Sequence, residues 1–314
     1  MITPHLNSAG YFIMTKSIFI FIAVLLLSFP ITKLYGDFSI ADQLLFSFPL
    51  ILFLGLPHGA IDNVLFLKNT NKGNMKFIVV YLMMVGIYIA LWLITPTTAY
   101  IFFLFFSAYH FGQSQFSHYV RKNTLLVKLL NFSWGISVLS GLVYFNQADI
   151  NQVSASINFI DIEVLHSENL MFWTFLVSTF IVLGLFILLG AKGVLIAEVL
   201  AIELIVLFLI HVSFILLPLF IGFTIYFVVL HSLKVLQEEY TFLFKAKSST
   251  SLVKFIKLLA PLSILSILGT ILLFGMIYYE FLSISYGYLF LIIISSITFP
   301  HIFVMEKFYS ISKN

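Results

Sequence analysis

The sequence predicts an all-α, polytopic membrane bundle of about ten transmembrane helices, nine being the other count, and three observations carry that prediction. Of 314 residues, 61% are hydrophobic and only 9% charged, and the mean hydropathy is +1.10. That composition leaves too little polar surface for a soluble globule of this size. The apolar runs are about 20 residues long and apolar on all sides, unlike the roughly 10-residue alternating segments of a membrane β-barrel. Finally, the lysines gather in alternate loops.

Taken in order, residues 1–16 form a short tail ending in Lys16, and 17–33 is the first span, with no small-residue cleavage site to mark a signal peptide. Further spans are expected at 41–66, 77–95, 98–119, 127–145, 169–190, 194–215, 218–239, 257–278 and 284–304. Lys68, Lys72 and Lys76 share one loop; Arg121, Lys122 and Lys128 the next but one; Lys192 follows, then Lys245, Lys247, Lys254 and Lys257. By the positive-inside tendency these loops are cytoplasmic, as are both termini. The intervening stretch 146–168 holds Asp149, Asp161, Glu163 and Glu168 without lysine or arginine. The break between the spans at 194–215 and 218–239 rests on length and on Leu217 and Pro218 alone. The whole chain, 1–314, is expected to be a single integral membrane domain, multi-pass in the cell's inner (plasma) membrane.

The formal charge of +3 lies in loops and no phosphate-binding glycine loop is present, so no nucleic-acid surface is expected. Cysteine is absent, which excludes disulfides, thiolate ligands and thiol nucleophiles.

Chemistry must then come from polar residues inside the spans, where an ionisable group is costly. Of eight histidines, His5, His118 and His166 fall in or near loops and His211 near an outer helix end. The other four, His58, His110, His231 and His301, fall in four spans that run from outside to inside. Counting residues to the next inner charge places them about 8 to 16 Å above the inner boundary of a core about 30 Å thick. One such histidine is more often a helix contact than a ligand. Four at one depth favour a metal site, with iron, zinc, copper and nickel all suited to neutral imidazole. Pro57 and Pro300 directly precede His58 and His301, and Gly59 and Gly112 follow His58 and His110, an arrangement that kinks helices or lets a neighbour approach. Asp62, four residues after His58, is expected on the same helix face, where it could orient an imidazole. Glu203 returns to the same layer as a ligand, a supporting group or a proton carrier. Gln113 and Gln115 read as helix-to-helix hydrogen-bond partners.

GLPHGAID at 55–62, SAYHFGQS at 107–114, the run from Glu203 through IYFVVLHSLK at 225–234, and TFPH at 298–301 resemble the membrane-embedded Brp/Blh family of β-carotene 15,15'-dioxygenases. The resemblance covers about residues 45 to 305 in matching order. It implies an Fe(II)-dependent enzyme that uses O2 to cleave the central double bond of β-carotene into two retinals, the chromophore of microbial rhodopsins, so a functional link to a retinal-binding rhodopsin is implied too. On this resemblance His58, His110 and His231 match family metal ligands, and His301 a recurrent C-terminal histidine. Two departures stand out: Val235 occupies a position where the family usually has a second histidine after His231, and Gln115 replaces a usual acid. Two other readings remain: a diverged, non-catalytic carotenoid-binding or assembly protein, and a metal-ion or proton transporter, which would spread its polar groups over successive depths.

Overall fold

The computed structural model describes residues 8–36, 38–68, 74–120, 124–155, 164–244 and 248–311. The described chain is all helical: α1 (Ser8–Tyr35), α2 (Ile40–Leu50), α3 (Asp62–Leu67), α4 (Asn74–Ile94), α5 (Pro96–Phe116), α6 (Leu125–Phe145), α7 (Gln147–Ala155), α8 (Glu168–Ala191), α9 (Ala197–Leu216), α10 (Leu219–Ile225), α11 (Leu233–Leu243), α12 (Ser249–Tyr278) and α13 (Tyr286–Ile311). Two wide π turns, Ile51–Gly55 and Tyr226–Ser232, and one tight 3-10 turn, Leu56–Gly59, complete it. His5, Lys72, Arg121, Lys122, Lys245, Lys247, Asp161 and Glu163 lie outside the described residues.

Among the described residues nine helical stretches are long and apolar enough to cross a bilayer. The expected fourth span is the exception. Its helix, α5, has 21 residues and is about 31 Å long, but Ser107, His110, Gln113, Ser114 and Gln115 make its second half too polar to count among the nine. All five side chains are buried, so α5 carries its polar groups on protein-facing surface. The expected break near Pro218 is present: α9 ends at Leu216, Leu217 is extended, and α10 begins at Leu219.

The chain divides into two compact units. The first comprises residues 1–49, 107–152 and 162–234, the second 50–106, 153–161 and 235–314. In the first, α6 packs along α8 and against α9, with fully buried Trp134 meeting the rings of Phe116 and Phe186. The crossing of α6 with α5 is exceptionally close. A Cβ on Gly112 would sit 1.9 Å from the Asn131 carbonyl oxygen, and one on Gly135 would sit 1.8 Å from that of Ala108, so both positions require glycine. Residues 108 and 112 lie one turn apart on α5, and His110 projects from its opposite side. The start of α10 is held by side chains that supply the acceptors its first turn lacks. Asp149 accepts from Leu219 N at 3.0 Å, and Gln43 Oε1 accepts from Phe220 N at 3.0 Å.

In the second unit α4 packs on α13. The Trp92 indole donates to Ser295 Oγ at 2.7 Å, and Tyr88 stacks on Phe299. Below them Ile61, Leu65, Val304, Met305 and Phe308 form an apolar cluster that also encloses Val235. At its edge Lys68 and Lys307 donate to the carbonyls of Phe242 and Phe66, each ammonium lying over the aromatic ring of the same residue.

Candidate metal centre

The four intramembrane histidines form two pairs, one in each unit. In the second unit the GLPHGAID segment interrupts a helix rather than continuing it. Proline has no N–H to give, and the chain widens through Ile51–Gly55, tightens through Leu56–Gly59 and resumes as α3 at Asp62. The Gly55 carbonyl, at the junction of the two turns, accepts a hydrogen bond from His58 Nδ1. A carbonyl only accepts, so Nδ1 carries the proton and the lone pair of His58 is on Nε2.

His301, on α13 directly after Pro300, stands edge-on to His58 with ring centroids 5.0 Å apart. Its Nδ1 lies 2.8 and 3.0 Å from the two Asp62 oxygens. The spacing gave Asp62 an imidazole to orient without saying which, and the imidazole it holds is that of His301. Four residues span about one turn only in a continuous α-helix, and the 3-10 turn followed by non-helical Ile61 swings the carboxylate to His301. Tyr81, from α4, donates to Asp62 Oδ2 at 3.0 Å, a contact no sequence signal marked. Gly59 is less demanding than its place in the motif suggests, because a Cβ there would meet His301 Nδ1 at an ordinary 3.5 Å.

In the first unit His110 and His231 are also edge-on, centroids 5.0 Å apart. His231 sits in the π turn between α10 and α11, a distortion common at functional sites. Ser114 Oγ donates to the Phe111 carbonyl at 2.9 Å and lies 3.0 Å from His231 Nδ1. Having spent its one proton, the hydroxyl accepts from Nδ1–H, which again leaves the lone pair on Nε2. Phe227 stacks on the same ring and Phe111 meets it edge-on.

Glu203, fully buried on α9, accepts from Gln115 Nε2 at 2.7 Å, so Gln115 is the interhelical partner the sequence suggested. The neighbour missed was Lys234. Its buried ammonium donates to the Ser114 and Gln115 carbonyls at 2.8 and 2.9 Å, capping α5 at the end where free carbonyls favour a cation. Glu238 and Glu239 on α11 are likewise buried, not at a solvent boundary. Val235, where a further histidine was in question, is fully buried in the apolar cluster of the second unit. His211, expected near an outer helix end, is buried against Phe175 with Nε2 3.2 Å from the Ser137 carbonyl, a packed helix contact.

In both units, then, imidazoles are paired, and Nδ1 of His58, His231 and His301 is held by a hydrogen bond. That is the usual preparation of histidine for a metal, in which the hydrogen bond made by one nitrogen fixes which nitrogen binds. The sequence profile of the family described as beta-carotene 15,15'-dioxygenase matches residues 49–309. The chain belongs to that family. The match spans the segments that hold all four histidines, Asp62, Glu203 and Lys234. No curated protein and no solved structure matches the chain. It is a multi-pass member of a family described by a carotene dioxygenase activity, and its apolar helices suit the lipid phase in which carotenes dissolve.

Proposed function

We propose that the chain is an iron-dependent β-carotene 15,15'-dioxygenase that splits the central double bond of β-carotene with O2 to give two molecules of retinal. The balance is simple: the carbon–carbon double bond and the oxygen–oxygen bond are broken, and each new aldehyde carries one oxygen atom. The observation that carries this reading is the shared tautomer of His58, His231 and His301, each giving Nδ1–H to an acceptor of its own unit and presenting Nε2.

The proposed ligands are Nε2 of His58, His231 and His301 with an imidazole nitrogen of His110. Asp62 and Glu203 support them, and Val235 supplies no donor. An all-nitrogen, thiolate-free set fits Fe(II). When bound, iron supplies the oxygen-activating chemistry that no side chain of this protein has. The protein's part is positioning. Asp62 holds the His301 proton on Nδ1 and, being anionic, increases the imidazole's donor strength. Ser114 and the Gly55 carbonyl do the same for His231 and His58 with neutral acceptors. Phe111 and Phe227 surround His231 with apolar surface, which excludes water and suits a polyene. Retinal released into the bilayer, here taken to be the inner membrane, would supply a retinal-binding rhodopsin.

The test is expression in a bacterial host that accumulates β-carotene, with lipid extraction and chromatography beside a His58→Ala control. Carotene should fall and retinal appear with the intact chain alone. A well-expressed, iron-supplied chain that yields no retinal would refute the catalytic reading and favour carotenoid binding without turnover.

A further inference from the structure

One apolar groove in the second unit is coupled to the His58–His301 pair, and its contents can be argued. It lies where α3, α4 and α13 meet, encloses about 220 Å³, and is walled by Phe66, Phe77, Val80, Tyr81, Pro300 and Phe303 among others. Lys76, in the first turn of α4, is its one charged lining residue. Two connections lead from the wall to the histidines: Pro300 directly precedes His301 in the chain, and the Tyr81 hydroxyl donates to the same Asp62 that holds His301. Val80 and Phe303 are 42% and 50% exposed, so the groove opens on a face that the apolar helices α4 and α13 turn to lipid.

We propose that this groove seats one end ring of the carotenoid and so sets which double bond reaches the metal. The proposal rests on the dioxygenase reading above. The walls are hydrocarbon and largely aromatic, which suits a flat, methylated six-membered ring. An apolar cavity of about 150 Å³ already holds benzene, so 220 Å³ accommodates a substituted ring and the first part of its chain, and not a forty-carbon polyene. The far end of the groove also lies beyond the histidines. Phe77 and Phe66 are each one helical turn past Tyr81 and Asp62, about 6 Å along α4 and α3 respectively. A ring seated there is held away from His301 with its conjugated chain leading back toward it, the arrangement that cleavage far from the ring requires.

Purified full-length protein in phospholipid nanodiscs, titrated with β-carotene and with the acyclic C40 carotenoid lycopene and read by pigment absorption, tests this. Wild type should bind β-carotene at least fivefold more tightly than lycopene. Val80→Trp, which fills the groove without touching the histidines, should weaken β-carotene binding at least fivefold while iron content stays at the wild-type level. A smaller change, or equal affinity of wild type for the two carotenoids, overturns the ring seat and leaves the groove to a lipid acyl chain. If Val80→Trp fails to fold by size exclusion and melting, Met84→Phe, at another lining residue of the groove, takes its place under the same criterion. The two readings fail separately: tight, ring-selective binding without retinal would sink catalysis alone, whereas retinal formation unaffected by the filled groove would sink the ring seat alone.

Discussion

Single hydrogen bonds decide which nitrogen of His58, His231 and His301 carries the proton. Asp62→Asn keeps the size of the side chain but removes the charge and offers an amide to His301, so iron affinity should fall about 10- to 100-fold. Metal titration of the purified variant checks this, and its melting temperature should move far less than its affinity. Outside the spans, His166 responds to pH. Burial pushes its imidazole from 6.5 down to about 4, so folding favours the neutral form. Its stability contribution is complete above pH 6.5 and is lost as pH falls from there toward 4, at about 1.4 kcal/mol per pH unit. Melting curves between pH 7.5 and 5 should therefore shift down in wild type and shift less in His166→Phe. Of the residue-scale contacts, the histidines and carboxylates were legible because charge is rare in these spans. Ser114, Tyr81 and Lys234 were not, since their roles depend on helices far apart in sequence.

At the scale of elements, glycines separate clearly. Gly112→Ala would push a Cβ to 1.9 Å from the Asn131 oxygen and force α5 away from α6, at a cost of about 1 to 3 kcal/mol or more. Gly86→Ala meets nothing within 4 Å and should be neutral or slightly stabilising. Thermal unfolding of the two variants should differ accordingly. Lys234→Met would strip the end of α5 of its cap and leave Glu203 without its neighbouring cation. It should lower both the melting temperature and iron affinity, because Ser114, which aligns His231, sits on the capped turn. The helices themselves were readable from apolar length, and the interruption at GLPHGAID from Pro57 and its flanking glycines. The π turn at Tyr226–Ser232 was not readable, since IYFVVLHS contains no proline or glycine and its widening is imposed by packing. The same limit explains why spacing alone did not name His301 as the imidazole that Asp62 holds: a spacing rule holds only while the helix does.

At the scale of the whole molecule, the polytopic all-α class followed from composition, and α5 shows where composition misleads. A membrane-length helix that buries its polar half against protein is less apolar than its neighbours. The four histidines stood out in the sequence as rare ionisable groups inside apolar spans, while their sorting into two pairs, each with its own supporting acceptors, belongs to tertiary structure. The central proposal is that iron binding requires both pairs. Metal analysis of purified, iron-loaded protein tests it most directly, beside His110→Ala from one pair and His301→Ala from the other. One iron per chain in wild type, falling to less than about a tenth in each variant, is the predicted result. Two irons per chain, or a full complement retained when either pair is broken, would contradict it.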